Sequence, residues 1–117
     1  MPIKEKYDLN DRLIEYAVLV FKMIDRLTGS KAASHLGSQL LRSASAPALN
    51  YGEAQSAESR KGFIHKLRII LKELRESKNT ILILSKYGSI ENCNKELQET
   101  NELIAIFTSS IETASKK

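Results

Sequence analysis

Apolar residues return at three- and four-residue steps along most of this sequence, and the pattern is most regular from about Glu58 to Lys86. At about 100° per residue, one narrow arc of this segment holds Phe63, Leu67, Ile70, Leu74 and Ile81. A period of this kind predicts an amphipathic helix with one buried face, and a helix of this length extends roughly 40 Å. So long a helix has to be buried against other elements of comparable length.

The same period predicts three further helices, at about Leu9–Leu27, Ala32–Ala54 and Asn92–Ala114. No repeat and no linker divides the 117 residues, so we expect a single domain that spans the whole chain. Hydrophobic residues make up 42% of the chain and charged residues 27%, which is typical of a folded protein. Four amphipathic helices with short connections predict an all-α fold, an antiparallel up-and-down four-helix bundle.

Short polar residues and glycines mark the expected helix ends. Asp8 or Asn10 can cap the first helix and Asn92 or Asn94 the fourth, because a short side chain can accept a bond from a free backbone N–H. Gly29 can adopt the left-handed conformation that often ends a helix.

Pro47 complicates the second helix. It removes one backbone donor and crowds the carbonyl of Ser43, so we expect a kink. The alternative is a pair of short helices that divide near Ala46.

The run from Ile81 to Leu84 is apolar on nearly all sides of the third helix, and Ile69 and Ile83 lie well off its buried arc. A surface helix of a monomer does not show this pattern, so contact with a second subunit is the simplest explanation. The candidate interface residues are Ile69, Ile81, Leu82 and Ile83.

Basic residues form a row on the same helix. The row consists of Lys61, His65, Arg68, Lys72 and Arg75, with Arg60, Lys66 and Lys78 beside it. Residues 58–78 contain seven Lys or Arg and three Asp or Glu, so this segment alone matches the chain's net charge of +4. Such a row can follow a nucleic-acid backbone, RNA or DNA. The alternative is a solvated helix face on which Glu58, Glu73 and Glu76 form ion pairs with the basic side chains of the same helix.

A second polar group contains Arg42, Asn50, Tyr51 and Glu53, which lie among small residues of the second helix. These side chains can contact a partner or line an opening between subunits of an assembly. We favour a structural role, in which Asn50 and Glu53 bond to neighbouring backbone or to Arg42 across a helix contact, because buried polar groups need partners.

The sequence offers little for catalysis or metal binding. It has no Glu-x-x-His pair, no glycine-rich phosphate loop and no ligand-spaced neighbours for His35 or His65. Cys93 has no identifiable base beside it. We therefore expect no enzymatic activity, no metal, no cofactor and no small-molecule substrate.

The expected location is the cytoplasm. Cys93 is the only cysteine, so no internal disulfide can form, and the first residues contain no apolar segment typical of a signal peptide. Purely apolar runs such as Ile81–Leu84 are far too short to cross a membrane.

Several motifs together resemble the four-helix-bundle family of 23S rRNA intervening-sequence proteins, also called the S23 ribosomal protein family. They are Gln39-Leu40-Leu41-Arg42-Ser43, Asn50-Tyr51, Glu53-Ala54, Ala57-Glu58-Ser59, Phe63-Ile64-His65-Lys66-Leu67 and Leu71-Lys72-Glu73. The resemblance implies an up-and-down bundle that assembles as a ring-like homopentamer without enzymatic activity. One related protein of retroelements binds a reverse transcriptase and nucleic acid, so the resemblance also allows a protein partner.

The sequence departs from the family pattern at three places. Ala46–Asn50 contains Pro47 where the family has an S-I-G/P-A-N-like run, and Gly62 stands where an Asp usually precedes Phe63. Asn79 and Thr80 replace an aromatic pair. The first departure affects the geometry expected for the second helix, and the second leaves the start of the third helix more basic. The third weakens the expectation of an aromatic-lined surface.

Overall fold

The computed structural model describes residues 8–116, and this part of the chain forms four α-helices and no strand. They are α1 (Leu9–Ile24), α2 (Lys31–Ala54), α3 (Arg60–Tyr87) and α4 (Asn94–Ser115). Each helix packs against the next along the chain, and α4 also contacts α1, although less closely than the other pairs. This order of contacts is that of a four-helix bundle.

Side-chain caps fix the starts of three helices. The Asp8 carboxylate accepts a hydrogen bond from the backbone N–H of Asp11 at 3.1 Å. Ser30 caps α2 in the same way, and Ser59 caps α3 through the N–H of Gly62 at 3.0 Å. Because Ser59 is the cap, α3 begins at Arg60, two residues after the predicted Glu58.

The predicted caps of α4 are wrong. Cys93 occupies the N-cap position and makes no side-chain capping bond. Asn92 has a left-handed backbone, with φ 57°, and Asn94 is already the first helical residue.

Helix α1 ends at Ile24, three residues before the predicted Leu27. After Ile24 the backbone forms turns with bonds between residues three apart, and Leu27 N–H donates to the carbonyl of Ile24 at 3.0 Å. Thr28 N–H donates to the carbonyl of Ser89 at 3.1 Å, which ties this loop to the loop after α3. Gly29 does not adopt the expected left-handed conformation, whereas Gly88, with φ 95°, does so at the end of α3.

Helix α2 continues through Pro47 as a single helix, so the alternative of two short helices is wrong. Pro47 is buried, and the small residues before it bring α2 close to α3. At this contact Ser77 donates a hydrogen bond to Ser43, at 3.0 Å between two fully buried hydroxyl oxygens. The bond satisfies both hydroxyls and fixes how the two helices align.

All four helices contribute to one core. The fully buried large side chains are Leu13, Tyr16, Val20, Met23, Leu40, Leu67, Ile70, Leu74, Ile81, Leu84, Leu103 and Phe107. Four of the five residues in the predicted arc of α3 are in this list, and Phe63 is half-buried against the core. The periodicity therefore identified the buried face of the longest helix.

Tyr16 joins α1 to α4 inside the core. It is 1% exposed, and its hydroxyl lies 2.7 Å from the hydroxyl of Thr100. Burial raises the pKa of Tyr16 to about 12. At the surface beside it, Arg12 bridges to Glu99 at 2.8 Å, a hydrogen bond that raises the pKa of Arg12.

The buried Tyr16 predicts a loss of stability at high pH. The unfolded tyrosine loses its proton at a pKa of about 10, whereas the folded one holds it to about 12. The free energy of unfolding therefore falls by about 1.4 kcal/mol per pH unit between those values. Urea titrations of the wild type and Tyr16→Phe at pH 9, 10 and 11 measure this effect. Equal pH dependence in both proteins would contradict it.

Candidate nucleic-acid interface

The five predicted basic residues Lys61, His65, Arg68, Lys72 and Arg75 lie exposed along the outer side of α3, and we call them the basic row. They face away from the core because the buried arc of Leu67 and Leu74 lies on the other side of the helix. At 1.5 Å per residue the row is about 21 Å long, enough to face several phosphates of one strand.

No residue of the basic row forms an ion pair or a side-chain hydrogen bond with another residue of 8–116. Four other cations in that range do pair with acids, namely Arg12, Arg26, Arg42 and Lys66. The positive charge of the row is therefore not neutralised by the neighbouring described elements.

Two acids at the end of the row are bound by α2 instead, namely Glu73, between Lys72 and Arg75, and Glu76, directly after Arg75. Arg42 donates from one guanidinium nitrogen to both carboxylate oxygens of Glu73, at 3.1 Å each, and from the other to Glu76 at 2.7 Å. The Glu73 side chain is only 8% exposed, so it is held inside the α2–α3 contact. The hydrogen bond to Glu73 also raises the pKa of Arg42. Two of the three acids expected to pair with the row are thus bound elsewhere.

The flanking candidates Arg60 and Lys66 are less available than the row. Lys66 is half-buried and pairs with Glu53 of α2 at 2.6 Å. Arg60 donates to the carbonyl of Ala114 near the end of α4 at 3.2 Å. Its other guanidinium N–H groups form no hydrogen bond with a described residue.

The second polar group has structural contacts. The Asn50 side chain donates to the carbonyl of Ala46 at 3.0 Å, a bond to neighbouring backbone within α2. Glu53 pairs with Lys66 rather than with Arg42. The Tyr51 ring meets Phe107 edge to face, with centroids 6.0 Å apart, and its burial raises the pKa of Tyr51.

An open depression of about 540 Å³ lies at the start of the basic row, and the sequence analysis did not identify it. It is lined by Arg60, Lys61, Ile64, His65, Arg68 and Ser115. The α3 residues recur at helical spacing and were visible in the sequence. The wall that makes the site concave comes from the end of α4, about 50 residues further along the chain, and no local pattern indicates that contact.

The candidate interface residues separate into two kinds. Ile81 is fully buried in the core, so its assignment to an interface between subunits is wrong. Leu82 is 36% exposed and Ile83 is 52% exposed, while Ile69 is half-buried. Tyr87, one turn beyond Ile83, is 62% exposed and was not among the candidates.

Residues 8–116 contain no group of three His, Cys, Asp or Glu side chains placed to hold a metal ion. His35 contacts Gln39 on its own helix, and Cys93 is buried. In the same part of the chain, no helix combines the length and apolar character that a membrane crossing requires.

Comparison with known proteins places this fold in a family. Residues 5–109 match the sequence profile described as 23S rRNA-intervening sequence protein. The fold is similar to the crystal structure of a protein of unknown function from the S23 ribosomal protein family of Bacteroides thetaiotaomicron VPI-5482, with a TM-score of 0.80 and 28% sequence identity. That likeness covers 87% of this chain and 96% of the other. No curated protein shows significant similarity to this sequence. Since the profile covers most of the chain, this protein belongs to the family of 23S rRNA-intervening sequence proteins.

Proposed function

We propose that this protein is a non-enzymatic, homo-oligomeric helical bundle that binds the phosphate backbone of a nucleic acid through the basic row. One observation carries the proposal. Five basic side chains are exposed in a line without described partners. The nearby acids Glu73 and Glu76 are instead hydrogen-bonded to Arg42 of α2. On an ordinary solvated helix face, we would expect such acids to pair with the basic side chains of their own helix.

The family supports RNA as the nucleic acid. Its name connects these proteins with an intervening sequence of 23S rRNA. No aromatic residue lies within the row, so the side chains offer charge and hydrogen bonds but no surface for base stacking. The expected binding therefore depends on the backbone and shape of the RNA more than on its sequence.

Assembly of several copies would strengthen this binding. Exposed apolar side chains on three helices provide surfaces for contact between subunits, and they include Ile14, Val18, Leu41, Leu49 and Ile83. Following the resemblance found in the sequence, we propose a ring-like homopentamer. A ring would repeat the basic row around its circumference, and linked sites raise the apparent affinity well above that of one row.

Salt dependence of RNA binding tests the function. Fluorescence anisotropy with a structured RNA fragment, titrated at several salt concentrations, gives a log–log slope of affinity against salt. Each phosphate contact contributes roughly −0.7 to −0.9 to this slope. We expect a slope that corresponds to three or more contacts. Absence of binding at low salt would contradict the proposal.

A second function is a protein-binding scaffold that makes no contact with nucleic acid. Leu82, Ile83 and Tyr87 favour it, because they expose apolar surface at the end of α3 away from the start of the basic row. The RNA titration separates the two functions. Tight RNA binding by the purified protein argues against a scaffold without nucleic-acid contact.

A further inference from the structure

The depression at the start of the basic row is lined by four basic side chains, of which three belong to the row and the fourth is Arg60. Along the row, successive basic side chains follow one another by three or four residues, which is about 5 Å of helix axis. In the depression, Arg60, Lys61, His65 and Arg68 line one space together. No carboxylate is among its lining residues. The depression therefore has more basic side chains around one space than the rest of the row, which favours an anion with more than one charge.

The first turn of α3 supports the same conclusion. It contains Arg60 and Lys61 and no acidic residue. The first turn of α2 also has no acidic residue, whereas α1 and α4 carry Asp11 and Glu96 in their first turns. Cations at a helix N-terminus oppose the helix dipole and destabilise the helix by a modest amount. A bound anion would reverse this unfavourable interaction, since the dipole and both side chains would then attract it.

Arg60 is placed to recognise a phosphate by direction as well as by charge. Its hydrogen bond to the carbonyl of Ala114 uses one of five guanidinium donors and holds the side chain against the end of α4. The remaining donors can form the paired hydrogen bonds that arginine makes with phosphate oxygens. Ile64 and Ser115 complete the lining, one apolar and one with a hydroxyl donor.

We propose that this depression binds the terminal phosphate of a nucleic-acid strand whose backbone continues along the basic row. The inference rests on the proposed function. A terminal phosphate monoester carries close to two negative charges near neutral pH and three acceptor oxygens, whereas an internal phosphodiester carries one charge. Several basic side chains around one space therefore favour a strand end over the middle of a strand, and the position of the depression at one end of the row gives the strand its direction.

Three RNA oligonucleotides of one sequence test the proposal. One carries a 5′ phosphate, one a 3′ phosphate, and one has hydroxyl groups at both ends. We expect one of the phosphorylated oligonucleotides to bind about tenfold more tightly than the hydroxyl form, which corresponds to one additional charged contact. Which of the two binds more tightly identifies the end that is recognised.

Two variants locate the effect. Lys61→Gln removes one charge from the depression, and we expect the preference for the phosphorylated end to fall below about twofold. Lys72→Gln removes one charge from the row outside the depression, so it should weaken all three oligonucleotides and keep the preference. Neither side chain has a described partner, so both variants should fold, which circular dichroism checks.

The outcomes distinguish the two proposals. If the wild type binds all three oligonucleotides equally, with a steep salt dependence, the terminal-phosphate site is wrong and the backbone site stands. A preference that is as large in Lys61→Gln as in the wild type also overturns the terminal-phosphate site. If none of the three binds at low salt, both proposals are wrong.

Discussion

Replacing Arg68 and Lys72 together by glutamate is expected to reduce RNA affinity by about 100-fold or more without unfolding the protein. Each residue is exposed and has no described partner, so the fold loses no contact. A charge-assisted contact to phosphate contributes on the order of tenfold in affinity, and a glutamate adds repulsion. The salt slope should also fall by about one for each lost contact. Anisotropy measures both, and a thermal melt verifies the fold.

A second double variant controls for net charge. Lys22 and Lys31 are exposed on α1 and α2, so Lys22→Glu with Lys31→Glu changes the total charge by the same amount at another place. We expect a loss of less than about threefold, because neither lysine belongs to the row and salt screens exposed charges that do not contact the RNA. Equal losses in the two double variants would show that only net charge matters and that the row is not a binding surface.

Ile81→Asp and Ile83→Asp are expected to have opposite consequences although the residues are two positions apart. Ile81 is fully buried, and removing a buried isoleucine side chain costs about 2–5 kcal/mol before the penalty for an unpaired buried charge. This is comparable to the whole stability of a small domain, so Ile81→Asp should abolish cooperative unfolding. Circular dichroism during a thermal melt measures this.

Ile83 is 52% exposed, so the aspartate there should change the free energy of unfolding of one chain by only about 0.5 kcal/mol. Its effect should appear in assembly, because a charge at an apolar contact between subunits is costly to bury. Light scattering should show a homopentamer for the wild type and a monomer for Ile83→Asp. A wild-type monomer would refute the oligomer, and an unchanged mass in the variant would exclude Ile83 from the interface.

The helices could be predicted from the sequence because their signals are local. The arc through Leu67, Ile70 and Leu74 repeats within one segment, so spacing alone shows which face of α3 is buried. The ends were less predictable. Ser59 and Glu58 are adjacent, and only the backbone geometry decides that Ser59 is the cap. The end of α1 depends on the bond from Thr28 to Ser89, 61 residues away in the sequence.

The candidate site divides in the same way. The basic row follows from helical spacing, so its exposure could be inferred before the structure. The hydrogen bonds from Arg42 to Glu73 and Glu76 could not be inferred from the sequence, because they depend on how α2 and α3 are aligned. The same alignment sets the Ser43–Ser77 contact, which neither helix specifies alone.

The error at Ile81 has a physical reason. Consecutive residues of a helix point about 100° apart, so a run of four apolar residues always includes some that face the core. Ile81 lies on the buried arc with Leu74, whereas Ile83 is turned about 200° from it. The helical spacing of the apolar residues therefore predicted the burial of Ile81 correctly, whereas the apolar run Ile81–Leu84 did not.

Lysine footprinting of the protein with and without structured RNA measures directly whether RNA contacts the basic row. A lysine-acylating reagent followed by mass spectrometry reports the accessibility of each lysine, and exposed lysines lie on all four helices. We predict that RNA protects Lys61 and Lys72 strongly and leaves Lys22, Lys31 and Lys95 unchanged. Protection spread evenly over all five, or confined to α1 and α2, would contradict the assignment of the basic row as the nucleic-acid interface.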